Sequence, residues 1–393
     1  MTADAIGGVW RYALDLAGAL RPHGWEARLA VLGPPPSPAQ EAEALRRTGA
    51  APLRLDAPLD WEAGGAEALA RGRTAIRAAA EAVGADLVQI DQPAYAGGAW
   101  PVPVVAVAHS CVSTWWRAVR GTPPPNAWRW HAEAVRAGLS EAHAALAPSR
   151  AFADALRAAY PGLGPVEVVA NGTAIPEAAA TAASPRAFAG APPDAHAGHP
   201  PRDGVASASA RREAADGKRP FVLAAGRLWD EAKGLAVLDA AAKGLPWSVL
   251  ALGATEGPGG ERAAPSSLQA LGQVEPEEAA RFMEEAAIFA SPALYEPFGL
   301  AVLEAGARGA ALVLSDLPTF REIWGKAALY VPPRDPPALH AALARLILDE
   351  AERARLGSAA RARASAYTLD RTAKRMAALY DRLLDARRVR GAA

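Results

Sequence analysis

The feature that most constrains the fold is a regular alternation of short apolar runs with helical stretches. In the first 175 residues the apolar runs have the pattern of buried strands that end in small or polar residues: EARLAVLG (26–33), DLVQID (86–91), VPVVAVAHS (102–110), AALAPS (144–149) and VEVVAN (166–171). Helical patterns fall between most of these runs. This order is typical of a parallel sheet with helices on both faces.

The alternation stops at residues 176–219 and then resumes. Ala, Pro, Gly and Ser dominate this stretch, and neither a period of 2 nor one of 3.6 is visible, so we expect a flexible linker there. Apolar runs then return at PFVLAAGR (220–227), WSVLALG (247–253), AAIFASPA (286–293), AALVLSD (310–316) and AALYVPP (327–333). The fold class is therefore α/β, with two doubly wound Rossmann-like domains, at 1–175 and 220–368, that face each other across a cleft.

The first residues are unusual for such a fold. The opening MTADAIGGVWRYALDLAGAL reads as a glycine turn followed at once by an amphipathic helix with Tyr12, Leu16 and Leu20 on one face. A buried strand should precede this turn, and only residues 1–4 are available for it. We therefore expect a truncated first strand and a start codon assigned too late. Gly7 and Gly8 would let a ligand approach the backbone, although tight turns need glycine anyway.

Composition excludes several classes of function. Lys plus Arg equals Asp plus Glu, at 42 each, so no basic excess indicates a nucleic-acid partner. The single cysteine, Cys111, cannot form an intramolecular disulfide, and Cys/His metal clusters are absent from the sequence. Neither a long apolar run nor a signal-peptide pattern occurs. We expect a cytoplasmic protein, and peripheral contact with the inner membrane face through an amphipathic helix stays open.

The stretch SPALYEPFGLAVLEAGARGAALVLSD (291–316) places Glu296 and Glu304 on either side of the start of an apolar helix. We expect Pro297 in the first helical turn, Glu296 in the loop before it and Glu304 inside the helix. The free amides at this helix start would suit a phosphate, and they belong to Phe298, Gly299 and Leu300. Acidic residues also occur at helix starts without any ligand, because they complement the dipole.

Three further residues follow strands at the expected cleft. Arg227 and Lys233 bracket the loop in AAGRLWDEAKGL (224–235), where a guanidinium fork and a point charge could neutralise a diphosphate. His109 ends the apolar run VVAVAHS. The alternatives are solvated surface charges and a structural histidine. Because the sequence has no Asp-x-Asp motif, we expect no metal at the diphosphate, and the two cations would replace it.

The tryptophans are concentrated in the first domain. Four of them lie in CVSTWWRAVRGTPPPNAWRWHAEAV (111–135), shortly after His109. Core packing explains buried tryptophans in general. Some of these four could instead form a stacking wall for an acceptor sugar or an apolar aglycone.

Taken together, these motifs resemble retaining glycosyltransferases of the GT-B fold, family 4. The resemblance runs from GGVWRYALDLA through AHS, APSR, NGT and AGRLWDEAKG to YEPFGLAVLEAGARGAALVLSDLPTFREIWGKAALYVPP, and covers nearly the whole chain apart from the linker. Its most specific element is the Glu-x7-Glu spacing from Glu296 to Glu304. The resemblance also implies that a helix in 369–393 crosses back to pack on the first domain.

The resemblance implies a role for each motif residue. Arg227 and Lys233 would bind the donor diphosphate and stabilise the leaving nucleotide, while Glu296 and His109 would contact the transferred sugar. Glu304 would bind the ribose hydroxyls. The remaining donor contacts would come from the backbone of Gly7, Gly8, Phe298, Gly299 and Leu300.

The expected reaction moves a sugar from a nucleotide-diphosphate sugar, used as co-substrate without a further cofactor, to a glycan or lipid-linked acceptor with retention of configuration. A nucleotide-sugar epimerase of the same fold and a catalytically silent sugar-nucleotide binding protein are the alternatives. The intact set of Arg227, Lys233, Glu296 and Glu304 argues against a silent protein.

Overall fold

The structure is a computed structural model that describes residues 1–176 and 218–391. Its first domain is built on seven short parallel strands in two adjacent sheets. One sheet has the order β1–β2–β3 and the other the order β4–β5–β6–β7. The strands are β1 (Thr2–Asp4), β2 (Ala30–Leu32), β3 (Leu53–Arg54), β4 (Val88–Ile90), β5 (Val104–Val107), β6 (Ala144–Ala147) and β7 (Glu167–Val168). A side chain joins the two sheets, because Oγ1 of Thr2 accepts a hydrogen bond of 2.8 Å from the amide of Asp91.

Helices cover both faces of these sheets. They are α1 (Gly8–Leu20), α2 (Pro38–Thr48), α3 (Ala66–Ala82), α4 (Val112–Arg120), α5 (Arg129–Glu141) and α6 (Arg150–Ala159). Strand β5 shows why both faces are covered. Val104 and Ala106 belong to one apolar cluster, whereas Val105 and Val107 belong to another on the opposite face. A strand that is apolar at every position must be buried on both sides.

The second domain has one six-stranded parallel sheet with the order β10–β9–β8–β11–β12–β13. Its strands are β8 (Arg219–Ala225), β9 (Ser248–Leu252), β10 (Gln269–Gly272), β11 (Ala286–Ser291), β12 (Ala311–Ser315) and β13 (Ala328–Val331). Its helices are α7 (Leu235–Ala242), α8 (Pro276–Glu285), α9 (Leu300–Ala307), α10 (Pro318–Trp324), α11 (Pro336–Leu348) and α12 (Glu350–Ala364). Ile288 and Phe289 of β11 enter separate clusters on the two faces.

Both domains reverse their strand order beside their first strand, at β1/β4 and at β8/β11. Such reversals open a crevice at the carboxyl ends of the strands, where ligands of doubly wound folds bind. The predicted fold class, two doubly wound α/β domains, is confirmed. It places the residues that follow β1, β4, β5, β8 and β11 at the candidate cleft.

A long final helix, α13 (Leu369–Gly391), packs against α1 of the first domain. Its Met376 and Tyr380 share an apolar cluster with Tyr12, Leu16 and Leu20, the helix face predicted from the sequence. The last helix therefore helps to bury the first domain's sheet. In the part of the chain that the structure describes, no helix combines the length and apolarity that a membrane crossing requires.

Direct contacts hold the two domains together beside the cleft. Oγ of Ser149 donates a 2.8 Å hydrogen bond to the carbonyl of Pro297. The carboxylate of Glu322 accepts hydrogen bonds of 2.9 and 2.7 Å from the amides of Arg150 and Ala151, at the start of α6. An acidic group of one domain thus caps the N-terminus of a helix in the other domain. The N-terminus is the end at which the helix dipole favours a negative charge.

Several boundaries differ from those predicted. The sequence patterns missed β3 and β10, because neither is a strongly apolar run, and β2 is shorter than 26–33. Residues 2–4 do form the strand that precedes the glycine turn, and all three are buried. The predicted linker at 176–219 lies largely outside the described residues. Arg219, the last residue of that range, pairs in β8.

Candidate active site

The turn after β1 brings the first domain against the second. Gly7 precedes α1 with φ at 99°, a backbone conformation that favours glycine, and a Cβ there would touch the Arg227 side chain at 3.8 Å. Gly8 faces open space, with no atom within 4 Å of an added Cβ. Oδ1 of Asp4 fixes the turn by accepting the Ile6 amide at 2.9 Å. Burial raises the pKa of Asp4 to about 6, although that hydrogen bond and the charge of Arg227 oppose the rise.

His109 follows β5 and is held by a buried chain of polar groups. Its Nε2 lies 2.9 Å from Oδ1 of Asp91, and only 10% of its side chain is exposed. The same Oδ1 accepts a 2.8 Å hydrogen bond from Nε2 of Gln89, whose Oε1 in turn accepts one from the hydroxyl of Tyr380 in α13. Tyr12 packs edge-on against the imidazole, with ring centroids 4.3 Å apart. The final helix therefore contributes to the position of His109.

The loop after β8 carries Arg227. Its Nη2 donates a 2.9 Å hydrogen bond to Oδ2 of Asp230, and its guanidinium lies over the Trp229 ring, 5.6 Å from the ring centre. Asp230 is buried, and its Oδ1 accepts hydrogen bonds of 3.0 Å from the Ala232 amide and from Nε1 of Trp115 in the first domain. One aspartate thus anchors the arginine, shapes its loop and links the domains.

Lys233, at the end of the same loop, pairs with Glu296 after β11. The distance between Nζ and Oε2 is 2.7 Å, and both side chains are mostly shielded from solvent. Gly234 explains why these loops meet. It has φ at 68°, and a Cβ there would overlap the carbonyl oxygen of Pro292, so a larger residue would push the two strand ends apart.

Helix α9 begins at Leu300, after Gly299 with φ at 93°. The expectation that Pro297 lies in the first helical turn is therefore wrong, because the left-handed glycine delays the helix by three residues. Glu296 lies in the preceding loop and Glu304 inside the helix, where the sequence placed them. Phe298 is buried, and its ring centre lies 5.9 Å from that of Tyr367.

Leu300 and Glu304 bring α9 to the first domain. Leu300 packs against apolar clusters of both domains. Burial raises the pKa of Glu304 above its usual value, and the positive charges of Arg11 in α1 and Arg308 partly oppose the rise. The carboxylate therefore lies in a shielded place between two helices, beside an arginine of the other domain.

The structure thus brings the predicted residues of both domains to one cleft. Lys233 and Glu296 also line a cavity of about 30 Å³, room for roughly one water molecule. In 1–176 and 218–391, no three His, Cys, Asp or Glu side chains are grouped as a metal ion would need.

Sequence reasoning missed three aspartates that organise the site: Asp4, Asp91 and Asp230. All three are buried, which is rare for a carboxylate without a partner or a task. A usable signal was present for two of them. Asp4 ends the short strand before the glycine turn and Asp91 directly follows β4, the position at which a parallel sheet presents side chains to its cleft.

Two family models match the chain in tandem. The model described as Glycosyltransferase Family 4 matches residues 6–175, and the model described as Glycosyl transferases group 1 matches residues 207–363. Each match covers one of the two domains, and together they cover most of the chain. A search of curated proteins gave no match.

Solved structures with the same fold extend over nearly the whole chain. Sucrose-phosphate synthase from Thermosynechococcus elongatus has a TM-score of 0.72 at 19% identity, and the match covers 98% of this chain and 99% of that one. HepE from Anabaena in complex with UDP-glucose has a TM-score of 0.67 at 17% identity, with 97% and 99% covered. WaaG, a glycosyltransferase involved in lipopolysaccharide biosynthesis, has a TM-score of 0.63 at 13% identity, also with 97% and 99% covered.

The two tandem family matches, the two doubly wound domains and the site between them agree with one another. The chain belongs to the group 1 glycosyltransferases of the family 4 type, enzymes of class EC 2.4 with the GT-B fold.

Proposed function

We propose that this enzyme transfers a sugar from a nucleotide-diphosphate sugar to a glycan or lipid-linked acceptor, with retention of configuration and without a metal ion. One observation carries the proposal. Arg227 and Lys233 lie in the loop after β8, and Lys233 pairs with Glu296, which precedes α9, the helix that carries Glu304. This is the donor and acceptor set that a ligand with both phosphates and hydroxyls requires.

Arg227 and Lys233 are suited to the diphosphate because each keeps unused donors. Among contacts with the described residues, the guanidinium uses one of its five N–H groups on Asp230, and the ammonium uses one of its three on Glu296. Cleavage of a glycosyl phosphate bond leaves negative charge on the diphosphate. Fixed cations aimed at that charge lower the barrier, which is the role a metal has in other transferases.

The carboxylates and His109 would bind the two ends of the donor. Glu304 lies one turn inside α9 and would accept hydrogen bonds from ribose hydroxyls. Glu296, beside Lys233, would contact the sugar together with His109. The amides of Phe298, Gly299 and Leu300 would contact phosphate oxygens. Gly7 and Gly8 would leave room for the donor, because a side chain at Gly7 would touch Arg227.

Relatives of the same fold support the donor class. HepE from Anabaena has been seen with UDP-glucose and with UDP and glucose. At 16–17% identity these structures establish the shared fold. The nucleotide, the sugar and the acceptor of this enzyme are identified by the experiment below.

The test is nucleotide release from a panel of UDP-, GDP- and ADP-sugars, with and without a mixed glycan and lipid extract, and with Lys233→Ala as the blank. The account predicts release from one donor that increases with acceptor, survives EDTA and disappears in the variant. NMR of the product should show the donor's anomeric configuration. An isomerised sugar nucleotide without release would indicate an epimerase instead, and dependence on added metal would contradict metal independence.

A further inference from the structure

Four tryptophans form a continuous strip on the first domain. Ring centroids lie 5.8 Å apart between Trp115 and Trp116, 6.5 Å between Trp116 and Trp128, and 6.3 Å between Trp128 and Trp130. These distances fall within the range of direct aromatic contact. We call these four residues the aromatic strip.

The fold explains only part of the strip. Trp130 packs against the core of the first domain and Trp115 against the domain interface, whereas Trp116 and Trp128 join none of the apolar clusters. All four rings are partly exposed. Among the residues that the structure describes, the indole N–H groups of Trp116 and Trp128 have no hydrogen-bond partner. Trp116 and Trp128 are thus two partly exposed rings that contact other aromatic rings and lie outside the apolar clusters.

The strip begins at the candidate donor site. Nε1 of Trp115 donates to Oδ1 of Asp230 at 3.0 Å, and Oδ2 of Asp230 holds Arg227 at 2.9 Å. Trp115 is therefore separated from the candidate diphosphate cation by a single side chain. A molecule lying on the strip would have one end at the place where the sugar leaves the donor.

Buried polar groups lie beneath the other end of the strip. His131 contacts the rings of Trp128 and Trp130 edge-on, and its Nε2 is 3.3 Å from Oδ2 of Asp60. The amide of Asp60 donates to Oε1 of Gln92 at 3.0 Å. Within 1–176 and 218–391, both ring nitrogens of His131 and Nε2 of Gln92 are buried without a hydrogen-bond partner. The layer beneath this end of the strip is therefore polar, and its atoms are costly to bury unless water or another polar group satisfies them.

We propose that the aromatic strip is the acceptor subsite and binds a chain of linked, uncharged sugar residues. The inference rests on the proposed function and adds the acceptor class to it. The C–H-rich faces of sugar rings pack on indole faces, which carry a negative quadrupole, while hydroxyls meet the free N–H groups. A row of rings favours several linked sugars over a single one.

The charge around the aromatic strip favours a neutral glycan over an anionic membrane as its ligand. Lipid-binding surfaces of this kind carry clusters of about four to eight Lys or Arg. The segment of the strip, 112–131, has three arginines, and two of them are neutralised. Arg120 pairs with Glu231, and Arg129 pairs with Glu133 at 2.8 Å. Only Arg117 remains, which is too little charge to hold a phospholipid surface but no obstacle to a neutral glycan.

The test uses the full chain, an array of immobilised glycans of one to eight sugar residues, and vesicles of mixed neutral and anionic phospholipid. The variant is Trp116→Ala combined with Trp128→Ala, since neither ring belongs to a core cluster. Trp247→Ala is the matched control, because Trp247 is a partly exposed tryptophan of the second domain that packs on Arg353. Circular dichroism checks that each variant is folded, and UDP, GDP and ADP binding is measured in parallel.

We expect binding to neutral glycans of three or more residues at least about tenfold tighter than to single sugars. The double variant should lose this preference while it keeps its nucleotide affinity, and Trp247→Ala should keep both. Glycan binding that is unchanged in the double variant, or vesicle binding without glycan binding, would overturn the acceptor subsite while leaving the donor site intact. If the unmodified protein binds none of UDP, GDP and ADP, the proposed function itself is contradicted.

Discussion

Oδ1 of Asp91 lies 2.9 Å from Nε2 of His109, at the ends of two neighbouring strands. Asp91 is 3% exposed, so this contact is shielded from water and its electrostatic attraction is strong. A carboxylate at Nε2 makes that nitrogen the N–H donor and fixes the plane of the imidazole ring. Gln89 and Tyr380 extend the contact to α13, so the last helix of the chain and the histidine of the cleft are joined by hydrogen bonds.

Asp91→Asn should reduce turnover about 100-fold, because it would displace His109, which we propose to contact the transferred sugar, and a small displacement of such a group costs that much. Nucleotide affinity should change little, since neither Asp91 nor His109 belongs to the proposed nucleotide contacts. Steady-state kinetics with the identified donor measures the first effect and calorimetry the second. Asp86→Asn, an exposed aspartate just before the same strand, is the control. A folded Asp91→Asn enzyme with normal turnover would contradict the positioning role.

Glu304→Gln should weaken donor binding by about 10- to 100-fold, because hydrogen bonds from hydroxyls to a charged acceptor are stronger than those to an amide. The charge of Arg11 beside it would then lack part of its compensation. Isothermal titration calorimetry with the nucleotide alone measures this loss of affinity. Glu285→Gln, which breaks an ion pair at the start of β8, should leave affinity unchanged. Full donor affinity in Glu304→Gln would remove Glu304 from the site.

Tyr295→Phe should lower the melting temperature by a few degrees, equivalent to about 1–2 kcal/mol. The Tyr295 hydroxyl accepts the Cys111 amide at 3.1 Å and lies 2.8 Å from Oγ1 of Thr114, across the domain interface. Turnover should also fall, because Glu296 is the next residue. Tyr330→Phe removes a hydroxyl bond inside the second domain and should leave turnover unchanged. Equal turnover in both variants would show that the Tyr295 contact does not position Glu296.

The raised pKa of Asp4 predicts how the stability of the protein depends on pH. This pKa is raised to about 6 in the folded protein from its ordinary value of 3.8, so between these values the folded state holds a proton that the unfolded state has released. The associated stability is complete below pH 3.8 and is lost as pH rises through about 6, with a total on the order of 3 kcal/mol. Asp4→Asn should therefore be more stable than the unmodified protein at pH 7.5 and equal to it near pH 4. Urea unfolding at both values decides the matter, and equal stability at pH 7.5 would refute the shift.

The sequence was sufficient for the fold because several of the central strands are apolar at nearly every position. A strand buried on both faces, such as β5 or β12, appears in the sequence as a continuous run of Val, Leu and Ala, which differs clearly from a polar loop. Strand β10 has no such run, since its residues are only partly buried or exposed, and it was missed. Glu296, Glu304, Arg227 and Lys233 could be named because motif and strand-end position agreed.

The partners of those residues could not be predicted, because they depend on contacts between the domains. Nothing in local spacing indicates that Trp115 bonds Asp230, or that Tyr380 reaches Gln89 from the end of the chain. The start of α9 was misplaced for a related reason. Proline commonly begins helices, yet here Gly299 takes a left-handed conformation that separates Pro297 from the helix.

The most direct test of the proposed donor site is the single-turnover rate of nucleotide release by Lys233→Ala. The control is Lys243→Ala, an exposed lysine outside the site. The account predicts a fall of about 100- to 1,000-fold for Lys233→Ala, with nucleotide affinity within about tenfold of normal, and no change for the control. A Lys233→Ala enzyme that releases nucleotide at the normal rate would contradict the claim that this cleft performs the transfer.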